Sequence, residues 1–87
     1  MNNKIILNRI KSSNIDAIGY DNENKELYIM YRGISLYKYY PINEELYKKL
    51  EEAESKGKFL HKFIKYNAAY KFEQINYEKL KEKFEIK

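Results

Sequence analysis

Residues 27–40 read LYIMYRGISLYKYY, two runs of strand-forming residues broken by Arg32 and Gly33. Branched and aromatic side chains suit a pleated, half-buried surface, and a glycine at the break supplies the positive φ of a tight hairpin turn. A two-residue turn there pairs the runs antiparallel, with Ile29 opposite Leu36 and Tyr31 opposite Ile34 on one side. On the other side Tyr28 meets Tyr37 and Met30 meets Ser35. The first side is the more apolar, so it is placed toward the helices, with Leu27 extending it and the stem of Lys38 along its margin. Tyr28, Tyr37 and Tyr39 then form a row on the second side. Register is the sensitive step, because a slip of one residue moves every side chain of a strand to the opposite face.

Working outward, Ile5, Ile6 and Leu7 begin an edge strand, residues 12–14 (SSN) turn the chain, and residues 15–20 (IDAIGY) form a strand before the polar turn DNENK. Pro41 ends the sheet, since it has no N–H to donate to a ladder. Asn43 caps a helix whose positive end carries Glu44 and Glu45 and whose apolar stripe is Leu46, Leu50 and Ala53, widened by Tyr47. Gly57 reads as its C-cap. A second helix runs from about Lys58 to Asn67, with Phe59, Leu60, Phe63 and Ile64 inward and Lys58, Lys62 and Lys65 outward. Residues 68–75 (AAYKFEQI) are ambiguous and open to an extended reading, and Tyr77, Leu80 and Phe84 have helical spacing. The expected fold is α+β: a small antiparallel sheet of three to four strands packed against two or three short helices. One domain is expected over residues 1–87, with 76–87 as a C-terminal extension.

At 87 residues the chain is short even for one domain, and with no cysteine and one histidine it has no means to build a disulfide or a common zinc site. Ten tyrosines and four phenylalanines are the obvious supply of packing area. The apolar runs are too short for a membrane span or a signal peptide, which leaves a cytoplasmic location as the expectation. The net charge of +4 is concentrated: residues 55–72 hold Lys56, Lys58, Lys62, Lys65 and Lys71 and no acid, whereas residues 41–54 are acidic.

No phosphate loop, dinucleotide fingerprint, metal-ligand spacing or nucleophile elbow is present, so neither a cofactor nor catalysis is expected. His61 reads as a surface residue, Asp16 and Asp21 as turn residues, and the glutamates of 44–54 as a solvated helix face. Two features stand above this background. The row of Tyr28, Tyr37 and Tyr39 either packs beneath the C-terminal segment around Phe72, Tyr77 and Leu80, stacks unpaired bases, or forms a protein-binding patch. The cations Lys56, Lys58, Lys62, Lys65 and Lys71 either form a solvated face, contact a phosphate backbone, or dock an acidic protein. Together they make RNA or single-stranded nucleic acid the expected partner.

The segments SSNIDAIGYD (12–21), LYIMYRG (27–33), YKYYPI (37–42) and LYKKLEEAESKGKFLHKFIKYNAAY (46–70) resemble the KTSC domain, a family named for the C-terminal region of some lysyl-tRNA synthetases and also found as stand-alone proteins. The resemblance spans roughly residues 7–75. It places the family's Tyr-x-Tyr on Tyr37 and Tyr39, its Ser-Ser-Asn element on Ser12, Ser13 and Asn14, and its helix-joining glycine on Gly57. It implies a compact domain with a proposed RNA-binding role and no catalytic residue. Two departures are that Tyr40-Pro41 replaces the usual valine-proline and that residues 76–87 extend past the family's core. Such a small stand-alone form also suits a protein of a mobile element or virus that binds and inhibits a host nucleic-acid-handling complex such as a CRISPR effector. A structural homodimer is the third expectation.

Overall fold

The computed structural model describes residues 4–33 and 35–87. Among the described residues the strands are β1 (Ile5–Arg9), β2 (Ile15–Asp21), β3 (Glu26–Tyr31), β4 (Ser35–Tyr40), β5 (Lys71–Ile75) and β6 (Phe84–Ile86). The helices are α1 (Glu44–Glu52), α2 (Lys56–Leu60), which widens into a π turn over His61–Lys65, and α3 (Tyr77–Leu80), which tightens into a 3-10 turn over Lys81–Lys83. All six strands join one sheet in the order β5-β4-β3-β2-β1-β6. Every pairing is antiparallel except that of β1 with β6.

The fold is α+β as expected, but six strands replace the three to four read from the sequence. The added strands have little pattern of their own. β5 is exposed along almost its whole length, so its sequence lacks a buried face. β6 has three residues, and Phe84, assigned by its spacing to a helix, anchors it instead. β1 is not an edge, because β6 pairs along its outer side. Pro41 ends β4, after a cis Tyr40–Pro41 peptide, but not the sheet.

The central hairpin forms one residue out of the expected register. Tyr31 pairs with Ser35, Met30 with Leu36, Ile29 with Tyr37 and Tyr28 with Lys38. The connection therefore returns the chain at Ser35, one residue later than a two-residue turn would, with Gly33 at a φ of 88° where a side chain would be strained. The expected partner of Tyr31, Ile34, lies outside the described residues. β3 presents Leu27, Ile29 and Tyr31 to the helices as expected, but β4 is turned over: Tyr37 and Tyr39 join that face, and Leu36 and Lys38 take the opposite one.

Local chemistry sets the remaining boundaries. Asp21 accepts from the backbone N–H groups of Glu23 and Asn24, which folds the β2–β3 turn, and Lys25 takes the left-handed conformation at φ 57°. Asn43 Oδ1 accepts from the Leu46 N–H at 2.8 Å and starts α1. Gly57 is not the C-cap: α1 closes at Ala53, and Ser55 caps α2, so Gly57 sits in the first turn of that helix.

Both sheet faces are covered. Ile15, Ile18, Leu27, Ile29 and Tyr39 pack under Ile42, Leu50, Leu60 and Ile64 on the helix side. Leu7, Ala17, Tyr28, Met30 and Leu36 pack on the other side under Phe84, with Tyr77 and Leu80 against them. From β5 at one edge the chain crosses this second face as a strap and re-enters the sheet as β6 at the other. The Arg9 N–H donates to the Lys87 carbonyl and the Lys87 N–H to the Leu7 carbonyl, each at 2.9 Å, fastening its end. Gly19 permits close approach of β1, since a Cβ there would meet the Ile6 carbonyl oxygen and lie 2.8 Å from Leu7 Cδ2.

Two stability outcomes follow from this packing. Phe84→Ala removes the ring that packs on Tyr28 at a centroid distance of 5.3 Å; urea unfolding is expected to show a loss of about 3 kcal/mol. Gly19→Ala forces β1 away from β2, and its expected loss, on the order of 3 kcal/mol, would be refuted by an unchanged urea midpoint.

Candidate functional site

The register decides where the tyrosines go. Tyr28 lies on the strap side, 6% exposed, and its hydroxyl donates to Glu26 Oε1 at 2.8 Å. Tyr39 lies on the helix side, 3% exposed, with its hydroxyl 2.8 Å from that of Tyr31. Tyr37 is half-buried beside it, edge-on to Tyr31 at 5.6 Å. The expected row of three rings on one face is thus corrected: the structure keeps Tyr37 and Tyr39 on one face, puts Tyr28 on the other, and buries Tyr28 and Tyr39, as the packing reading of the row had it.

The lysines do converge. Ser55 caps α2, its Oγ accepting from the Lys58 N–H, and so aims the helix across the open end of residues 11–15. Between these two segments lies a groove of about 930 Å³. Its cations are Lys11, Lys56, Lys58, Lys62 and Lys65. Ser12, Ser13, Asn14, His61 and the ring of Tyr31 also line it, and among the described residues Glu54 is its sole acid. Ser12 Oγ accepts from the N–H groups of Asn14 and Ile15, which holds the loop in a tight turn. Arg32 donates to the Ser12 carbonyl at 3.2 Å, and its Nε lies 3.9 Å from Asp16, pinning the same loop from the hairpin turn. Gly57 is the point where the two segments meet, 3.8 Å from Ser12 Oγ at the position of a Cβ.

Electrostatically the groove is marked by density of like charge, five cations with one acid among its described lining residues. Lys48 and Lys49 pair with Glu44 and Glu45 one helical turn away, and Lys38 bridges Glu26 and Glu73 at 3.2 and 3.0 Å. Burial alone would lower the Lys38 pKa, but the hydrogen bonds and charges of Glu73 and Glu26 outweigh it and raise it. Among the described residues none of the five groove lysines has a carboxylate within ion-pair distance. Lys56 donates weakly to the Ala53 carbonyl, and the ammonium of Lys65 lies over the rings of Tyr31 and Tyr66 at 5.2 and 5.7 Å. Lys71, grouped with these lysines by sequence, pairs with Tyr40 in β5 and does not line the groove.

Sequence reading found four of the five cations and missed Lys11, because the link between residues 11–15 and α2 is tertiary. Its visible trace was the Ser-Ser-Asn element beside a lysine. Among the described residues no three His, Asp or Glu side chains are grouped to hold a metal ion, and no helix is long and apolar enough to cross a membrane.

These features define a small α+β module in which tyrosine and lysine clusters, rather than a catalytic constellation, stand out. The sequence profile of the KTSC domain matches residues 11–70, and the chain belongs to the KTSC domain family. A protein of Tsukamurella paurometabola is 36% identical over 56 residues, which is 64% of this chain and 84% of that one. The crystal structure of a KTSC domain protein from Yersinia pestis superposes with a TM-score of 0.75 at 28% identity, covering 83% of this chain and 99% of that one. Every residue lining the groove falls within the matched span.

The buried phenols generate a pH dependence. Burial raises the pKa of Tyr28, helped by its bond to Glu26; burial also raises those of Tyr31 and Tyr39, and pushes Tyr47 up to about 12 with a further push from Glu51. Unfolded tyrosines ionise near pH 10 while these stay protonated in the native state, so the native state holds more protons and stability falls as pH rises above about 10. Each such phenol contributes a slope of about 1.4 kcal/mol per pH unit in that window. The thermal midpoint is expected to drop steeply there, and less steeply for Tyr28→Phe. Equal slopes in the two proteins would contradict the assignment.

Proposed function

We propose that this KTSC domain binds nucleic acid, RNA foremost, by seating its phosphate backbone in the lysine groove. The supporting observation is the convergence of five lysines without carboxylate partners from two segments that share no local reason to meet. Clustered ammonium groups repel one another, and a polyanion relieves that repulsion while releasing its condensed counterions. Lysines act as point charges without arginine's planar fork, so the contact follows the backbone rather than base edges. The Ser13 hydroxyl and the Asn14 amide among its lining residues are neutral hydrogen-bond partners for phosphate oxygens. Tyr28 and Tyr39 stay in the framework and take no part, and Lys71 is peripheral.

Fluorescence anisotropy with labelled RNA tests this. Lys58→Ala with Lys62→Ala is expected to weaken binding and to reduce the slope of log affinity against log salt by about 0.7 per lysine for a single strand. Lys71→Ala is expected to leave both nearly unchanged. A folded wild-type protein that fails to bind RNA at low salt, or binding indifferent to the two groove lysines, would overturn the proposal and leave an acidic protein as the groove's partner.

A further inference from the structure

Where the groove ends at Tyr31 and Lys65, an aromatic strip begins. Tyr66 follows the π turn and is 72% exposed, and Phe72 on the edge strand β5 is 61% exposed. Neither belongs to a core cluster. Because Phe72 pairs with Tyr39, its ring lies on the helix side of the sheet, the same side as α2. It is 6.4 Å from the ring of Tyr37, which is 5.6 Å from Tyr31, over which Lys65 places its ammonium. The ring of Tyr66 lies 5.7 Å from the same ammonium. One cation thus lies beside the half-buried ring of Tyr31 and the exposed ring of Tyr66, and Phe72 lies beyond Tyr31 and Tyr37 on the same side of the sheet.

We propose that Phe72 and Tyr66, with Tyr37 beside Phe72, form a base-stacking platform, and that the ligand of this surface is therefore single-stranded nucleic acid. The inference rests on the groove binding phosphate, and the strip adds what the groove lacks. Exposed aromatic faces have no use for a paired base, whose faces are already stacked within a duplex; they accept the free face of an unpaired one. A strand with its phosphates on Lys62 and Lys65 turns one base onto Tyr66 beside Lys65 and another onto Phe72 beyond Tyr31 and Tyr37. Every base has a face, so selection is for strandedness over sequence. Two large apolar rings exposed beside a cationic groove suit a ligand that is both anionic and flat-faced.

The test uses labelled oligouridylate and oligothymidylate of about twelve nucleotides, within the range that small single-strand modules occupy, beside duplex RNA of equal length. Phe72→Leu and Tyr66→Leu retain apolar bulk on exposed positions and are checked for native circular dichroism. Each is expected to weaken single-strand binding on the order of tenfold, with duplex affinity and salt slope unchanged. The chain has no tryptophan, so Phe72→Trp supplies a single reporter whose emission is expected to be quenched by the single strand and not by the duplex. The uridylate and thymidylate arms separate RNA from DNA as the source of the strand. Single-strand binding undiminished in both leucine variants, while Lys58→Ala with Lys62→Ala still weakens it, would overturn the platform and leave the groove standing. Equal loss of single-strand and duplex affinity would also overturn it. Failure of the wild type to bind any of the three probes would overturn platform and groove together.

Discussion

The connection at the tip of the β3–β4 hairpin, which returns the chain at Ser35 to pair with Tyr31, governs the rest of the molecule. With Gly33 at positive φ, the turn returns the chain one residue later than a two-residue connection would. Because side chains alternate along a strand, that residue decides which face each tyrosine of β4 occupies. Tyr39 is delivered beneath the helices, where its hydroxyl has a partner in Tyr31, and Lys38 is delivered between Glu26 and Glu73. In the other register Tyr31 and Tyr39 would lie on opposite faces, and their hydroxyl pair would be lost. The turn therefore matches polar groups as well as apolar ones, which is what holds a register firmly when both faces carry aromatics.

That constraint also explains how so short a chain packs a sheet from both sides. The helix side is closed by residues 42–64, inside the matched span of the family. The opposite side is closed by the strap, from residues beyond it. A sheet with Leu7, Met30 and Leu36 uncovered would present an apolar face to water, and the strap removes it while placing β6 along an otherwise open edge of β1. The remaining edge, β5, is left open. Its alternating Lys71, Phe72, Glu73 and Gln74 have little tendency to recruit another strand, since charged side chains interrupt the apolar pattern.

What the sequence made legible was local. β2, β3 and β4 carry dense strand-forming residues, α1 carries its own cap, and the lysines of α2 stand in a stretch without acids, so each could be read within a dozen residues. What escaped was set at a distance. β5 and β6 exist because β4 and β1 offer them ladders, and nothing in KFEQI or FEI demands a strand. The tyrosine row failed for a related reason, since an alternating pattern shows which residues share a face of one strand but not which faces two strands share. Lys11 joined the groove through tertiary contact alone, and the exposure of Phe72 and Tyr66 depends on where the sheet stops.

The choice of lysine over arginine sets the character of this surface. The chain has two arginines, and Arg32 is spent on the Ser12 carbonyl and Asp16 just outside the groove. It therefore stiffens the loop that carries Lys11 and leaves the groove's charges to ammonium groups. On the proposed reading, such groups would follow a phosphate backbone of varied shape, each contact costing rotamer freedom, so that no single contact dominates. Recognition then has to come from what the charges surround. On that reading it comes from rings of both layers, Tyr37 and Phe72 from the sheet and Tyr66 from the end of the helix, while the attraction comes from the lysines.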